Sequence, residues 1–154
     1  GELNHNYYND SKNSWSYSFT AKSSNPTYLY TPAEIEQFTD IFLAAERMGE
    51  RPRTVLLECM SNLVANEMFD GAGDGWRTAG AVAGKVVRDM EMLLGRTDHL
   101  VVVSSNVFED GIVYEEPVAE YIRAMGQVNQ VLVSMADKVV EVAAGIPVVV
   151  KGER

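Results

Sequence analysis

Apolar and polar positions change period several times along the chain. Thr54-Val55-Leu56-Leu57 is a short apolar run that ends on an acid, Glu58, and predicts a buried strand. Leu100 to Ser104 predicts a second strand, with His99 just before it. Between them a short helical pattern follows Glu58, for which Ser61 or Asn62 offers a cap. A longer helix is expected over residues 76–94, with Val82, Val86, Met90, Leu93 and Leu94 on its apolar side. Upstream, Thr31-Pro32-Ala33-Glu34 has a hydroxyl at N-cap, Pro at N1 and Glu at N3. Ile35, Phe38, Ile41, Phe42 and Ala45 then recur at helical spacing, which predicts a helix from Thr31 to Gly49. Downstream, Pro117 opens a helix expected to reach Met135, with Val118, Tyr121, Ile122, Met125, Val128 and Leu132 as its stripe. Two closing strands, 139–142 and 148–150, flank Gly145-Ile146-Pro147 as a tight turn.

Residues 1–30 differ from the rest. They are rich in Asn, Ser and Tyr, and Trp15 to Thr20 alternates aromatic and polar residues as a strand would. Asn25-Pro26 marks a turn before Thr27 to Tyr30. An aromatic polar arm and a hairpin are equally compatible with this pattern. The division expected is therefore an arm or hairpin over 1–30 and a single domain over 31–154. Strands alternating with helices predict an α/β fold with a mainly parallel sheet, helices on both faces, and an antiparallel last strand.

The chain has 154 residues, enough for one domain with a real core. Net charge is −9, which argues against non-specific nucleic-acid binding. A nucleotide needs only local donors and a metal, so it stays compatible. Cys59 is the single cysteine, which excludes an internal disulfide and a thiolate metal cluster. No apolar run approaches the roughly 20 residues that span a bilayer, and no signal-peptide core is present. A cytoplasmic setting with no membrane partner is the expectation.

Ligands of open α/β sheets sit outside the carboxyl ends of the strands. Glu58 is placed there by the pattern, and is the first candidate site residue; the alternative is the solvated end of a core strand. Asn62 and Asn66 are four apart and share a helix face, either as ligand contacts or as a polar edge. Ser104-Ser105-Asn106 ends the second strand at the same kind of edge. Residues 70–75 form an acidic Gly-rich segment, read as a linker or lid. Gly80 to Lys85 is one residue short of a phosphate loop and follows no strand, so close helix packing is the better account of its glycines. Glu109-Asp110-Gly111 predicts a turn between Val107-Phe108 and Ile112-Val113. Glu115 and Glu116 are explained by the dipole of the following helix.

The segments Thr54-Val55-Leu56-Leu57-Glu58-Cys59 with Asn62, Val64 and Asn66, then Val101 to Val107, Gly111-Ile112-Val113 and Glu115-Glu116, resemble the bifunctional adenosylcobinamide kinase / adenosylcobinamide-phosphate guanylyltransferases. Gly126-Gln127-Val128-Asn129-Gln130 and the tail through Gly145-Ile146-Pro147 to Lys151 continue the likeness, which covers about residues 32–151. The resemblance implies a P-loop NTPase or RecA-like fold in an oligomeric cytoplasmic enzyme of cobalamin biosynthesis. It implies phosphorylation of adenosylcobinamide and transfer of GMP from GTP, with Mg²⁺ and GTP or ATP. By the same resemblance Glu58 is the acid near the metal, and Asn62, Asn66, Ser104 and Asn106 line the nucleotide side, with a corrinoid as the other partner. The family opens with a Gly-rich G-x-x-x-x-G-K-S loop and a catalytic histidine loop. Neither occurs before Thr31 here, and His5 stands in an Asn/Tyr-rich segment. That departure points to a divergent or catalytically incomplete member; the alternative is a non-catalytic structural or regulatory subunit that binds a homologue or nucleotide.

Overall fold

A computed structural model describes residues 8–9, 14–15, 18–22, 33–36, 39–47, 54–70, 73, 75–105 and 112–153. Its elements are β1 (Tyr8–Asn9), β2 (Ser14–Trp15), β3 (Ser18–Lys22), β4 (Ala33–Glu36), α1 (Phe42–Arg47), β5 (Thr54–Glu58), α2 (Met60–Phe69), α3 (Ala79–Leu94), β6 (His99–Val103), α4 (Val118–Met135), β7 (Val139–Ala143) and β8 (Ile146–Lys151). The four-stranded sheet has the order β4-β3-β5-β6, and β1-β2 and β7-β8 are separate pairs. The fold is α/β, but the mainly parallel sheet expected from the alternation is corrected. Among the described residues only β5 and β6 run parallel, while β3 is antiparallel to both β4 and β5. Connection length supplies the reason. The α2–α3 connection gives β5 and β6 the crossover that parallel strands require, whereas the ten residues between β3 and β4 are too few for one.

Burial along β5 alternates, with Val55 and Leu57 fully buried and Thr54, Leu56 and Glu58 half-buried. On β6, Leu100 and Val102 pack against the core while Val101 and Val103 are exposed. Among the described residues these two strands therefore bury one face, not the two expected. That face meets Met60, Leu63, Val64 and Met68 of α2, Val82, Val86, Met90 and Leu93 of α3, and Ala124, Met125 and Val128 of α4. Each fully buried Leu, Val or Met side chain contributes roughly 1.5–3 kcal/mol, so this one cluster is the main source of stability.

The predicted helix from Thr31 to Gly49 is a second correction. Ala33-Glu34-Ile35-Glu36 also alternates, and it forms the strand that pairs with Ala21 to Ser18. Asp40 then takes a left-handed φ of 52°, which no helix can continue through. Among the described residues of that stretch only Phe42–Arg47 is helical. Pairing across the sheet thus outweighs the local capping pattern at Thr31. The α2 cap is likewise Cys59, not Ser61 or Asn62.

The later elements follow their periods closely. Thr78 caps α3 through its side chain, which accepts from the Ala81 amide, so the helix starts three residues after Trp76. Leu94, expected on the apolar side, is exposed, as is Val118 at the start of α4. β7 and β8 pair antiparallel around Ala144 and Gly145, whose φ values of 49° and 80° fit a two-residue hairpin turn. Lys151 Nζ donates to the carbonyls of Val133 (2.9 Å) and Ser134 (3.1 Å) in the last turn of α4, fastening the hairpin to that helix. The predicted strands at 107–108 and 27–30 lie outside the described residues, and Ile112-Val113 is not a strand.

Candidate functional site

The parallel register sets the site. Glu58 lies opposite Val103, so the residues that follow both strands, Cys59 and Ser104, leave the sheet at one carboxyl edge. Glu58 is half-buried at that edge. α2 starts directly behind it, which puts Ser61 and Asn62 in the first turn beside the strand end. Asn66 is a turn further on and buried. Asn106 lies outside the described residues. His99 pairs with Thr54 at the opposite, amino end of the strands, which agrees with its reading as a residue of the strand start.

α4 ties both strand ends from above. Tyr121 Oη donates to the Ser61 carbonyl at 3.2 Å. Burial pushes the Tyr121 phenol up to about 12, with the nearby Cys59 adding to it. Two turns along α4, Ser104 Oγ donates to Asn129 Oδ1 at 2.6 Å and Asn129 Nδ2 donates to the Ser105 carbonyl at 3.3 Å. The first turn of α4 also caps α3. Glu120 Oε1 accepts from the Ala79 amide at 2.5 Å, and Arg123 pairs with both Glu120 and Glu116. The Ala79 amide, then Arg123, holds Glu120 below the usual carboxylate range. Glu116 in turn accepts from the Glu120 amide, so this acid serves the helix end as its position before Pro117 predicts.

A second polar cluster escaped the sequence reading. Lys85 Nζ stands between Asp40 Oδ1 (2.7 Å), Glu67 Oε1 (2.8 Å) and Asp89 Oδ2 (2.8 Å). Glu67 Oε1 also accepts from the Asp40 amide at 2.6 Å, and Arg77 reaches both its carboxylate and its backbone carbonyl. Bonding to Lys85 lowers Asp40 below its ordinary range against the opposing effect of burial. Burial works against the Lys85 ammonium, but its bonds to Asp40, Asp89 and Glu67 outweigh that and raise it. Oxygens of Asp40, Glu67 and Asp89 lie within 4.8 Å of one another, the spacing of a metal cluster, and the ammonium stands where a cation would. Lys85 is thus an ion-pair centre and no phosphate ligand. The packing account of its glycines is corrected too: a Cβ on Gly80 would meet nothing within 4 Å, and one on Gly84 only the end of Arg88 at 3.4 Å.

The oxygen donors at the sheet edge, a carboxylate with hydroxyls and an amide, suit Mg²⁺, which is held by one or two carboxylates together with water and substrate phosphates. Glu58 is the carboxylate of that donor set; the Ser61 hydroxyl lies 3.0 Å from Cys59 Sγ, and that thiol is too soft for the ion. No helix among the described residues is long and apolar enough to cross a membrane. A search of curated proteins finds no match to the chain. The family described as cobinamide kinase / cobinamide phosphate guanyltransferase matches residues 31–150, most of the sequence. The chain belongs to that family.

Proposed function

We propose that the carboxyl edge of β5 and β6 is the nucleotide side of a transferase site acting on cobinamide, within a P-loop-like domain. The observation that carries this reading is the parallel pairing that brings Glu58 and Ser104 to one edge, in a chain of the cobinamide kinase family. Glu58 would hold Mg²⁺ against the phosphates of GTP or ATP. The ion, when bound, supplies charge neutralisation at the transferring phosphoryl group. Asn62, with Asn66 behind it, and Ser104 orient the nucleotide. Phosphoryl transfer rests on such positioning and on neutralised charge, and the phosphate loop and histidine of the family are not among these 154 residues. His99, at the far end of β6, does not supply a guanylylated histidine at this edge. Nucleotide binding is therefore the part of the family's activity that this edge supports best.

Calorimetry with Mg·GTP and Mg·ATP tests the reading. Binding at micromolar to millimolar levels that Glu58→Ala weakens at least tenfold, with an unchanged thermal melt, supports it. Absence of binding by either nucleotide refutes it. A variant that fails to fold shows instead that Glu58 is the structural end of β5.

A second reading is favoured by the β7–β8 hairpin. Ile146, Val148 and Val150 share one face of β8 and are 65%, 48% and 60% exposed, an apolar ribbon of the kind that marks a contact surface. In this reading the chain associates with itself or a homologue, as the family resemblance implies. Light scattering across concentrations separates the two, since an assembled subunit need bind no nucleotide.

A further inference from the structure

The hydrogen bonds around Asn129 fix where one proton sits. The Ser105 carbonyl can only accept, so the amide nitrogen 3.3 Å away must be the group that faces it. The amide oxygen is then turned to Ser104 and can only accept as well. At 2.6 Å the bond between them takes its proton from the Ser104 hydroxyl. A hydroxyl has one proton, and this one is committed to Asn129. Ser104 is exposed, so what it offers to the cleft is lone pairs alone.

We infer that Ser104 is an acceptor-only group that selects a hydrogen-bond donor on the nucleoside, and that Asn129 is the positioning residue that makes it so. This rests on the proposed nucleotide site and adds which part of the nucleotide meets the β6 edge. Phosphate oxygens are acceptors at neutral pH and find no donor in Ser104. Ribose hydroxyls and the exocyclic amine of a purine do carry protons to give. The nucleoside therefore lies toward Ser104 at the end of β6. Asn129 stands 25 residues from Ser104 in sequence and bonds both Ser104 and Ser105. These two hydrogen bonds, one accepted and one donated, explain why an amide is used at the margin of the buried face of α4. An aspartate there would repel the Ser105 carbonyl, and an alanine would free the Ser104 proton.

The test is calorimetric binding of Mg·GTP, Mg·2′-deoxy-GTP, Mg·3′-deoxy-GTP and Mg·ITP to the unaltered chain, Ser104→Ala and Asn129→Ala, with circular dichroism to confirm folding. The analogues remove one donor each and so tell a ribose contact from a base contact. One of them should bind the unaltered chain about two- to tenfold more weakly than GTP, the range of a single neutral hydrogen bond. Ser104→Ala should bind GTP and that analogue equally, and Asn129→Ala should narrow the gap although Ser104 is present. A role confined to structure would weaken all four ligands alike. Equal binding of all four to the unaltered chain overturns the inference, as does a preference that survives Ser104→Ala. Failure of the unaltered chain to bind any nucleotide overturns the proposed site itself, and this inference with it. Because Ser104 is exposed, its variant keeps the core intact and decides the question even where Asn129→Ala does not fold.

Discussion

Lys85 Nζ lies 2.8 Å from Glu67 Oε1, and the glutamate is only 1% exposed. Glu67 also takes the Asp40 amide, and Lys85 also holds Asp40 and Asp89. One partly buried ion cluster, with Glu67 at its centre and Asp40 44% exposed, thus joins the entry to α1 with α2 and α3. Removing one partner of a buried pair costs more than the pair itself is worth, because the other charge stays behind without its counter-ion. Lys85→Met should lower unfolding free energy by about 3 kcal/mol, the lower end of that class, since the lysine is partly exposed. The double variant Lys85→Met/Glu67→Gln should recover part of the loss, as coupled neighbours do not add. Urea denaturation of Lys85→Met, Glu67→Gln and the double variant beside the unaltered chain measures both. Additive losses would show that the two residues act independently.

Local patterning made much of this architecture readable. The strands β5 and β6, the helices α3 and α4, and the terminal hairpin each carry their own period or turn residue. Glu58 was visible as a strand-end acid for the same reason. What was not readable depends on partners far apart in sequence. Lys85 lies 18 residues from Glu67, and of its three acids only Asp89, one helical turn on, stands near enough in sequence to be read. Asn129 stood out only within the family resemblance, and which atoms it meets follows from where α4 lies against the residues after β6. The expected helix at Thr31 failed in the opposite sense. Its capping box is a local signal, and the strand pairing that replaced it is not.

The cluster also sets a pH dependence. Asp40 is lowered when folded, so its contribution is present above the unfolded carboxylate value of about 4 and is lost as pH falls through the depressed folded value. Lys85 is raised, so its contribution is present below the unfolded lysine value of about 10.4 and is lost as pH rises through the folded value. Between these limits neither group changes charge. Urea midpoints followed from pH 2 to 7 should therefore fall on the acid side, and Lys85→Met should flatten the part due to Asp40. An acid limb of equal slope in both proteins would assign the fall to other carboxylates.

Two glycines should respond in opposite directions. Gly80 lies inside α3 with open space where a Cβ would be. Alanine there restricts the unfolded chain and suits the helix, so Gly80→Ala should stabilise by about 0.5–1 kcal/mol. Gly152 has φ of 88°, and its Cβ would come within 2.6 Å of the Asp137 carbonyl oxygen. Gly152→Ala should destabilise by about 1–3 kcal/mol, the range for a residue held in strained backbone. Thermal melts of the two variants measure the contrast directly. A destabilised Gly80→Ala would mean that another surface covers that part of α3.

Tyr121 connects the stability of α4 to the proposed site. Its hydroxyl holds the Ser61 carbonyl in the first turn of α2, next to Glu58. Replacing it by phenylalanine keeps the ring that packs against the core but removes the only atom that makes this bond. Tyr121→Phe should cost about 1 kcal/mol of stability, the ordinary net value of one such bond. It should also loosen the turn that positions Ser61 and Asn62, so that Mg·nucleotide affinity falls while the fold persists. Burial gives a further signature, because the Tyr121 phenol is pushed up to about 12. Alkaline titration by ultraviolet absorbance should show a late-ionising tyrosine, and Tyr121→Phe should remove that step. A late step that persists in the variant would place the buried phenol elsewhere, and unchanged nucleotide affinity would show that the Ser61 turn does not depend on α4.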